Sequence, residues 1–473
     1  MIAITAVFAV VCWSGIEQFK STGGDDEQSY RSYLDGLYAN HRLPSRNENV
    51  EFSLPPGVPA IGVALNWAFK PIVAGKPSPI LQGLPRLLRR LLWIALVAGG
   101  ALLLMRGPPL SLIGAGMWLV AAALAWTYVN AAVDNEAWLP AVLADFVAAV
   151  ALVPLTAWLA HEVWPSRRWA PALGAFGVTL LPPVFAGSLY FHPDPPFAAL
   201  AALSTVLVVR ATRKGPTWPM GIAAGVALGL AALARQSAVV VALALLAGVA
   251  ITARRAAMPY IAATLAAMTL VAGAWWIHQI DVYGNPFESN LDRQGYMLDH
   301  QPLSFYVSLP PELVTRPHYY HFENKLLPRF HAYLWADWHG DYHDAWQDPK
   351  PHARTLASVQ SLLGFGGDAL VLAGVAFFGV PALWRRRNAA LGVLASLFVL
   401  AWAAYVFELI RFPQKGGDPI KAHYLLFLAP VAVVFAIASG ASMARRGGWR
   451  RALLYSWVCA YTVSWALTLA TAF

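Results

Sequence analysis

The chain has 473 residues, of which 58% are hydrophobic and only 12% charged, and its formal net charge is +9. Soluble domains carry roughly a quarter charged residues, so this composition excludes an ordinary soluble enzyme, and its two cysteines exclude a disulfide framework. The basic excess falls in short connections and builds no groove interleaved with aromatics, so it reads as a membrane-orientation signal and not as nucleic-acid binding.

A membrane-spanning helix takes about 20 mostly apolar residues. In chain order the candidate spans are 1–16, 91–105, 109–129, 138–160, 169–189, 195–210, 219–236, 238–253, 257–277, 360–382, 388–408, 421–442 and 450–472. This predicts an all-α polytopic membrane protein of about 13 transmembrane helices with two long outer loops. The expected organisation is an N-terminal transmembrane module over 1–277, a second long outer loop over 278–359, and C-terminal helices over 360–473. The first loop, 17–90, carries an acidic motif. The first segment lacks a basic leader and a small-residue cleavage site, so it reads as a retained helix. Cys12 and Cys459 lie in apolar segments and read as small core residues.

Basic clusters set the orientation. Arg167–Arg168, Arg210 with Arg213 and Lys214, Arg254–Arg255, Arg385 to Arg387, and Arg445–Arg446 with Arg450–Arg451 occupy alternate short connections, which places them in the cytoplasm. The connections 17–90, 130–137, 190–194, around 237, 278–359 and 409–420 then face outward. Segment 58–75 opens after helix-breaking prolines and is short for a span, so it reads as an amphipathic segment at the outer interface. This leaves Arg86, Arg89 and Arg90 on the outer side, against the inside bias.

The first acidic group is Asp25–Asp26–Glu27, just past the first span. Gly23–Gly24 permits a sharp bend before it. Tyr30, Tyr33, Leu34, Leu37 and Tyr38 recur at helical spacing behind it, which predicts an amphipathic helix with its tyrosines at headgroup depth. Carboxylates at that helix's N-terminus suit its dipole. Capping needs only one such residue, so three in a row point to chemistry.

A second group is His192-Pro193-Asp194, in a short outer connection. A tight turn capped by Asp194 is one reading. The other is an imidazole and a carboxylate that orient an acceptor or hold a divalent cation. Outer cations form a third group: Arg235 at the end of a span, then Arg411, Lys415 and Lys421. They run against the inside bias and need partners. Snorkelling to ordinary headgroups is one outcome; gripping a lipid phosphate is the other.

In the second long loop, "HAYLWADWHGDYHDAW" alternates Trp335, Trp338, Tyr342 and Trp346 with Asp337, Asp341 and Asp344. Aromatic faces with carboxylates suit a sugar, and an interfacial aromatic belt is the alternative. His339 and His343 lie four apart and could flank a metal, but no third ligand accompanies them. Asp145 lies inside an apolar span; such a carboxylate marks function or bonds a neighbouring helix.

Together these motifs resemble the GT-C superfamily of membrane glycosyltransferases, nearest to bacterial relatives of the protein O-mannosyltransferases and of the lipid A aminoarabinose transferase. The resemblance rests on Asp26-Glu27 with Tyr30, on Pro55–Pro56, on Pro193–Asp194, and on Arg235 closing a span. It continues in Trp338-His339-Gly340-Asp341-Tyr342, an altered form of the family's pattern, and in Lys421 with Tyr424, Leu425 and Leu426. Extra hydrophobic material over 91–129 departs from the pattern. The resemblance implies a hexosyl- or pentosyltransferase of the bacterial cytoplasmic membrane, using a sugar carried on polyprenyl phosphate. Transfer to a lipid, glycan or protein acceptor would occur at the outer face, with inversion. Asp26 and Glu27 are then the catalytic candidates, and His192 and Asp194 hold acceptor or metal. Arg235, Arg411, Lys421 and Tyr424 bind the donor phosphate, and Trp338, Asp341 and Tyr342 bind sugar. The resemblance fixes no cofactor; a divalent cation is the candidate. The rival is a lipid-linked-sugar flippase or transporter, but that should string charges through several spans in matched halves; here the charge collects at one face.

Overall fold

A computed structural model describes residues 1–18, 27–49, 52–64, 139–189, 191–253, 257–288, 301–317, 322, 325–336, 351–385, 388–411 and 420–472. Most of these residues are helical and none of them lies in a strand, as expected of an all-α chain. Seven of their helices are long and apolar enough to cross a membrane, and four shorter apolar helices accompany them. The candidate spans 91–105 and 109–129, and most of 58–75, lie outside the described residues.

The helices, in chain order, are α1 (Ile2–Gln18), α2 (Glu27–Asn40), α3 (Leu139–Val163), α4 (Ala170–Thr179), α5 (Pro182–Ala186) and α6 (Asp194–Lys214). They continue as α7 (Trp218–Ala234), α8 (Ala238–Ala253), α9 (Met258–Tyr283), α10 (Leu303–Val307), α11 (Glu312–Thr315) and α12 (Leu326–Trp335). Last come α13 (Pro351–Gly374), α14 (Val380–Arg385), α15 (Ala389–Arg411), α16 (Ala429–Arg446) and α17 (Gly448–Ala472). A single π-helical turn, Val375–Gly379, joins α13 to α14, and a 3₁₀ turn, Ala422–Leu428, leads into α16.

Close packing follows the small residues. Gly221, Gly225 and Gly229 form one stripe of α7, and α9 lies directly against it. A Cβ at Gly221 would fall 2.5 Å from the Tyr260 carbonyl oxygen. Small residues at such spacing let two membrane helices approach through their backbones. Basic residues close α6 (Arg213, Lys214) and α16 (Arg445, Arg446), where the helix dipole favours them. Between α3 and α6, the buried Glu162 carboxylate accepts from Arg210 at 3.3 Å, from Trp158 at 3.0 Å and pairs with Arg213.

The structure corrects several expectations. The predicted span 169–189 is two helices, because Pro182 and Pro183 remove backbone donors. The carbonyls freed at the break accept from the next layer: Tyr461 Oη reaches Leu180 O at 2.9 Å and Trp465 Nε1 reaches Thr179 O at 3.2 Å. The second long loop is shorter than 278–359 at both ends, since α9 runs on to Tyr283 and α13 begins at Pro351. The tyrosine face of α2 packs on protein and not at headgroup depth: Tyr30, Tyr33 and Leu34 are buried, and Tyr33 Oη donates to Leu54 O at 3.2 Å. Cys12 is a core residue as expected, but Cys459 is exposed on α17.

Candidate functional site

The His192-Pro193-Asp194 turn is the hub. Its prolines keep residues 191–193 out of a helix, and Asp194 then opens α6. Both side chains are buried, in keeping with a connection this short between two helices. Asp145 explains how the turn is held. Its Oδ2 accepts the His192 backbone N–H at 2.7 Å, across 47 residues. The helix-to-helix bond expected of that intramembrane carboxylate is therefore a bond to the turn.

Asp194 gathers three nitrogens. Its Oδ1 lies 2.6 Å from Arg235 Nε, and its Oδ2 lies 2.5 Å from His192 Nδ1 and 3.6 Å from His423 Nε2. Arg235 is positioned by the end of α7, where the backbone turns extended and its N–H still closes onto Ala231 O. The guanidinium stacks 4.7 Å from the Tyr424 ring centroid, and Lys421 Nζ lies 6.0 Å from the same ring. Lys421 is buried at the start of the 3₁₀ turn. On the other side of His423, its Nδ1 meets the Tyr333 hydroxyl of α12 at 2.5 Å. The His192 ring packs edge-on against both His423 (4.5 Å) and Tyr30 (4.9 Å).

The predicted residues therefore divide. His192, Asp194, Arg235, Lys421 and Tyr424 meet in one largely buried cluster, although they come from the start of α6, the end of α7 and the 3₁₀ turn. Tyr30, three residues beyond the acidic motif, joins them. Arg411 ends α15 with its side chain exposed. Asp26, Trp338, Asp341, Tyr342, His339 and His343 lie outside the described residues; Glu27 opens α2. Three cluster members were missed. His423 sits between the singled-out Lys421 and Tyr424, and a polar residue in that apolar run was its signal. Tyr333 lay in the quoted aromatic stretch. Arg329, buried on α12, lies within electrostatic reach of Tyr405, as does Tyr424. Only its charge inside an aromatic segment could have flagged it.

His192, Asp194 and His423 present donor atoms within 4.8 Å of one another. Two imidazoles and a carboxylate suit a zinc-like cation. Arg235 takes one Asp194 oxygen and leaves the other facing the histidines, and Tyr333 engages the far nitrogen of His423, as outer partners of ligating histidines do. The donor set fits such an ion.

An apolar cavity of about 1150 Å³ begins where the cluster ends. Its near wall includes Ala422 and Phe330, the chain neighbours of Lys421, His423 and Arg329. Helix α12 divides the two spaces: Tyr333 faces the cluster, whereas His331 and Trp335 face the cavity. Part of the cavity's polar wall is already paired. Asp368 accepts from His331 Nδ1 (2.7 Å) and Trp335 Nε1 (2.9 Å), and His331 Nε2 meets Ser361 O (3.0 Å). Trp335 lies flat on Gly364 and Gly367 of α13, where any side chain would collide with its ring.

The family model for dolichyl-phosphate-mannose-protein mannosyltransferase matches residues 105–281. The match includes Asp145, His192, Asp194 and Arg235. The match falls on a chain in which seven helices, among the described residues, are long and apolar enough to cross a membrane. The matched segment, a little over a third of the chain, is what is similar to the mannosyltransferases. Among solved structures, the chain is similar to the oligosaccharyltransferase of Archaeoglobus fulgidus in complex with Zn and sulfate, at 14% identity and a TM-score of 0.48. That likeness covers 100% of this chain and 52% of the other, so the chain spans about half its length. No curated protein sequence matches the chain.

Proposed function

We propose that the protein transfers a sugar from a polyprenyl-phosphate carrier to a hydroxyl of a lipid, glycan or protein acceptor, at the outer face of a bacterial cytoplasmic membrane and with inversion. One observation carries this reading: a cluster of permanent cations, with Lys421 buried and Arg235 largely so, both against Tyr424, abuts an apolar cavity within the bundle. Phosphate is recognised by such cations, and an apolar tail needs such a cavity. A nucleotide sugar would use the first but not the second. The flippase alternative has less support, because the charge gathers at one cluster and not along a path through both halves.

In the proposed reaction the acceptor oxygen attacks the anomeric carbon while the bond from that carbon to the phosphate oxygen breaks. The acceptor proton passes to the carboxylate of Asp26, the base that the family resemblance implies. Glu27 orients hydroxyls beside it. The leaving polyprenyl phosphate gains negative charge, which Arg235 and Lys421 stabilise. Asp194 holds Arg235 and orders His192 and His423 near the reacting groups. A divalent cation on His192, Asp194 and His423 would add Lewis-acid stabilisation to that phosphate. Trp338, Asp341 and Tyr342 remain the proposed sugar contacts, and Arg411 an outer guide for the donor.

The test is reconstitution in vesicles with radiolabelled polyprenyl-phosphate sugar. Label should move into acceptor with the wild type, and Asp26→Asn should abolish transfer while donor binding persists. Full activity in Asp26→Asn removes that residue from the mechanism, and flipping of intact donor without transfer favours the transporter.

A further inference from the structure

The cavity is longer than one leaflet. Along α16 its lining repeats at helical spacing from Ala429 to Ala436, Gly440, Ala441 and Arg445. At about 1.5 Å of rise per residue, that stripe is about 24 Å long. One leaflet's share of the hydrocarbon core is only about 15 Å. The volume, about 1150 Å³, also exceeds the roughly 300–1,000 Å³ of ordinary small-molecule pockets. A phospholipid acyl chain anchored at the cluster would end near mid-membrane and leave the far half unfilled. The Asp368–His331 pair on the wall asks for nothing from an occupant, since both Asp368 oxygens and both His331 nitrogens have partners.

We infer that this cavity gauges the donor's lipid: a long polyprenyl chain threads it from the Lys421 end towards Arg445, and the residues beyond mid-membrane select long chains over short ones. The inference rests on the proposed reading of the cluster as a phosphate site. Gly440 and Ala441 would be the selecting positions. Neither fills its share of the channel, and a Cβ built at Gly440 meets only Leu454, at an ordinary 3.6 Å. A larger side chain at either position would plug the far half and leave the near half open.

The probes are undecaprenyl phosphate, farnesyl phosphate and uncharged undecaprenol, titrated against the purified full-length protein by tryptophan fluorescence. Each apolar carbon that enters the cavity adds favourable burial, so undecaprenyl phosphate should bind at least about tenfold tighter than farnesyl phosphate. In Ala441→Trp that advantage should shrink to about threefold or less, with farnesyl phosphate affinity unchanged, because the plug forfeits only the distal burial. Gly440→Phe repeats the test from the adjacent position, and unchanged farnesyl phosphate binding certifies that either variant is folded. Equal affinities for the two chain lengths, or a long-chain advantage that survives both plugs, overturns the inference and leaves the phosphate site standing. Undecaprenol binding as tightly as undecaprenyl phosphate overturns the phosphate reading itself.

Discussion

Replacing Asp194 by Asn tests the hub most severely. Asn keeps the shape but removes the charge that faces Arg235 Nε at 2.6 Å and His192 Nδ1 at 2.5 Å. Removing one partner of a buried ion pair costs about 3–5 kcal/mol, because the other charge is left buried. The Arg235 side chain is 20% exposed and stacks on Tyr424 at 4.7 Å, so it keeps some hydration and a cation–π contact. The lower end, about 3 kcal/mol, is therefore expected. Adding Arg235→Gln removes the orphaned cation, so the double variant should recover about 2 kcal/mol relative to additivity. Equilibrium unfolding in mixed micelles measures both. A loss under about 1 kcal/mol in Asp194→Asn, or strict additivity in the cycle, would refute the ion pair as the organiser of the site.

Other expectations follow from the same contacts. Tyr333→Phe leaves His423 Nδ1 without its 2.5 Å partner and should cost about 1–3 kcal/mol; transfer should fall with it. Glu162→Gln abandons two arginines at the end of α6 opposite Asp194, each about a third exposed; unfolding should show a loss of about 1 kcal/mol with undecaprenyl phosphate affinity intact. Gly225→Val presses a branched side chain into the Thr264 backbone and should destabilise by about 1–3 kcal/mol, read as lost folded yield from the membrane. At the surface, the hydrogen bonds from Arg42, followed by those from Ser45, hold the Glu48 carboxyl down at about 2. A carboxyl lowered on folding stabilises above its ordinary range and loses that contribution only as the pH falls towards its folded value. The Arg42–Glu48 clip should therefore persist through the ordinary carboxylate range and open as the pH falls towards about 2. Isotope-edited NMR of labelled glutamate, assigned with Glu48→Gln, reads that midpoint directly.

What the sequence revealed followed from how unusual each residue was in its surroundings. Arg235 and Lys421 stood out because cations on the outer side run against the orientation bias, and both sit in the cluster. Asp145 stood out inside an apolar run, yet only the fold could say that its partner is a backbone N–H 47 residues away. His423 and Tyr333 were not legible as a pair, because they lie 90 residues apart. Helix α12 was read as part of a loop. It is only ten residues long, and much of its docking comes from Trp335 on bare glycines and His331 on Asp368. The break at 180–182 was legible in principle from Pro182–Pro183, but length and apolarity argued for a continuous span.

The central claim is that a lipid phosphate docks on the Arg235–Lys421 cluster with its tail in the neighbouring cavity. A cryo-electron-microscopy map of the full-length protein in nanodiscs with undecaprenyl phosphate tests it most directly. The account predicts phosphate density within hydrogen-bond reach of Arg235 and Lys421, with chain density descending along α16 past Ala436. Phosphate density on another face of the protein, or a chain running outside the α16 channel, would contradict it.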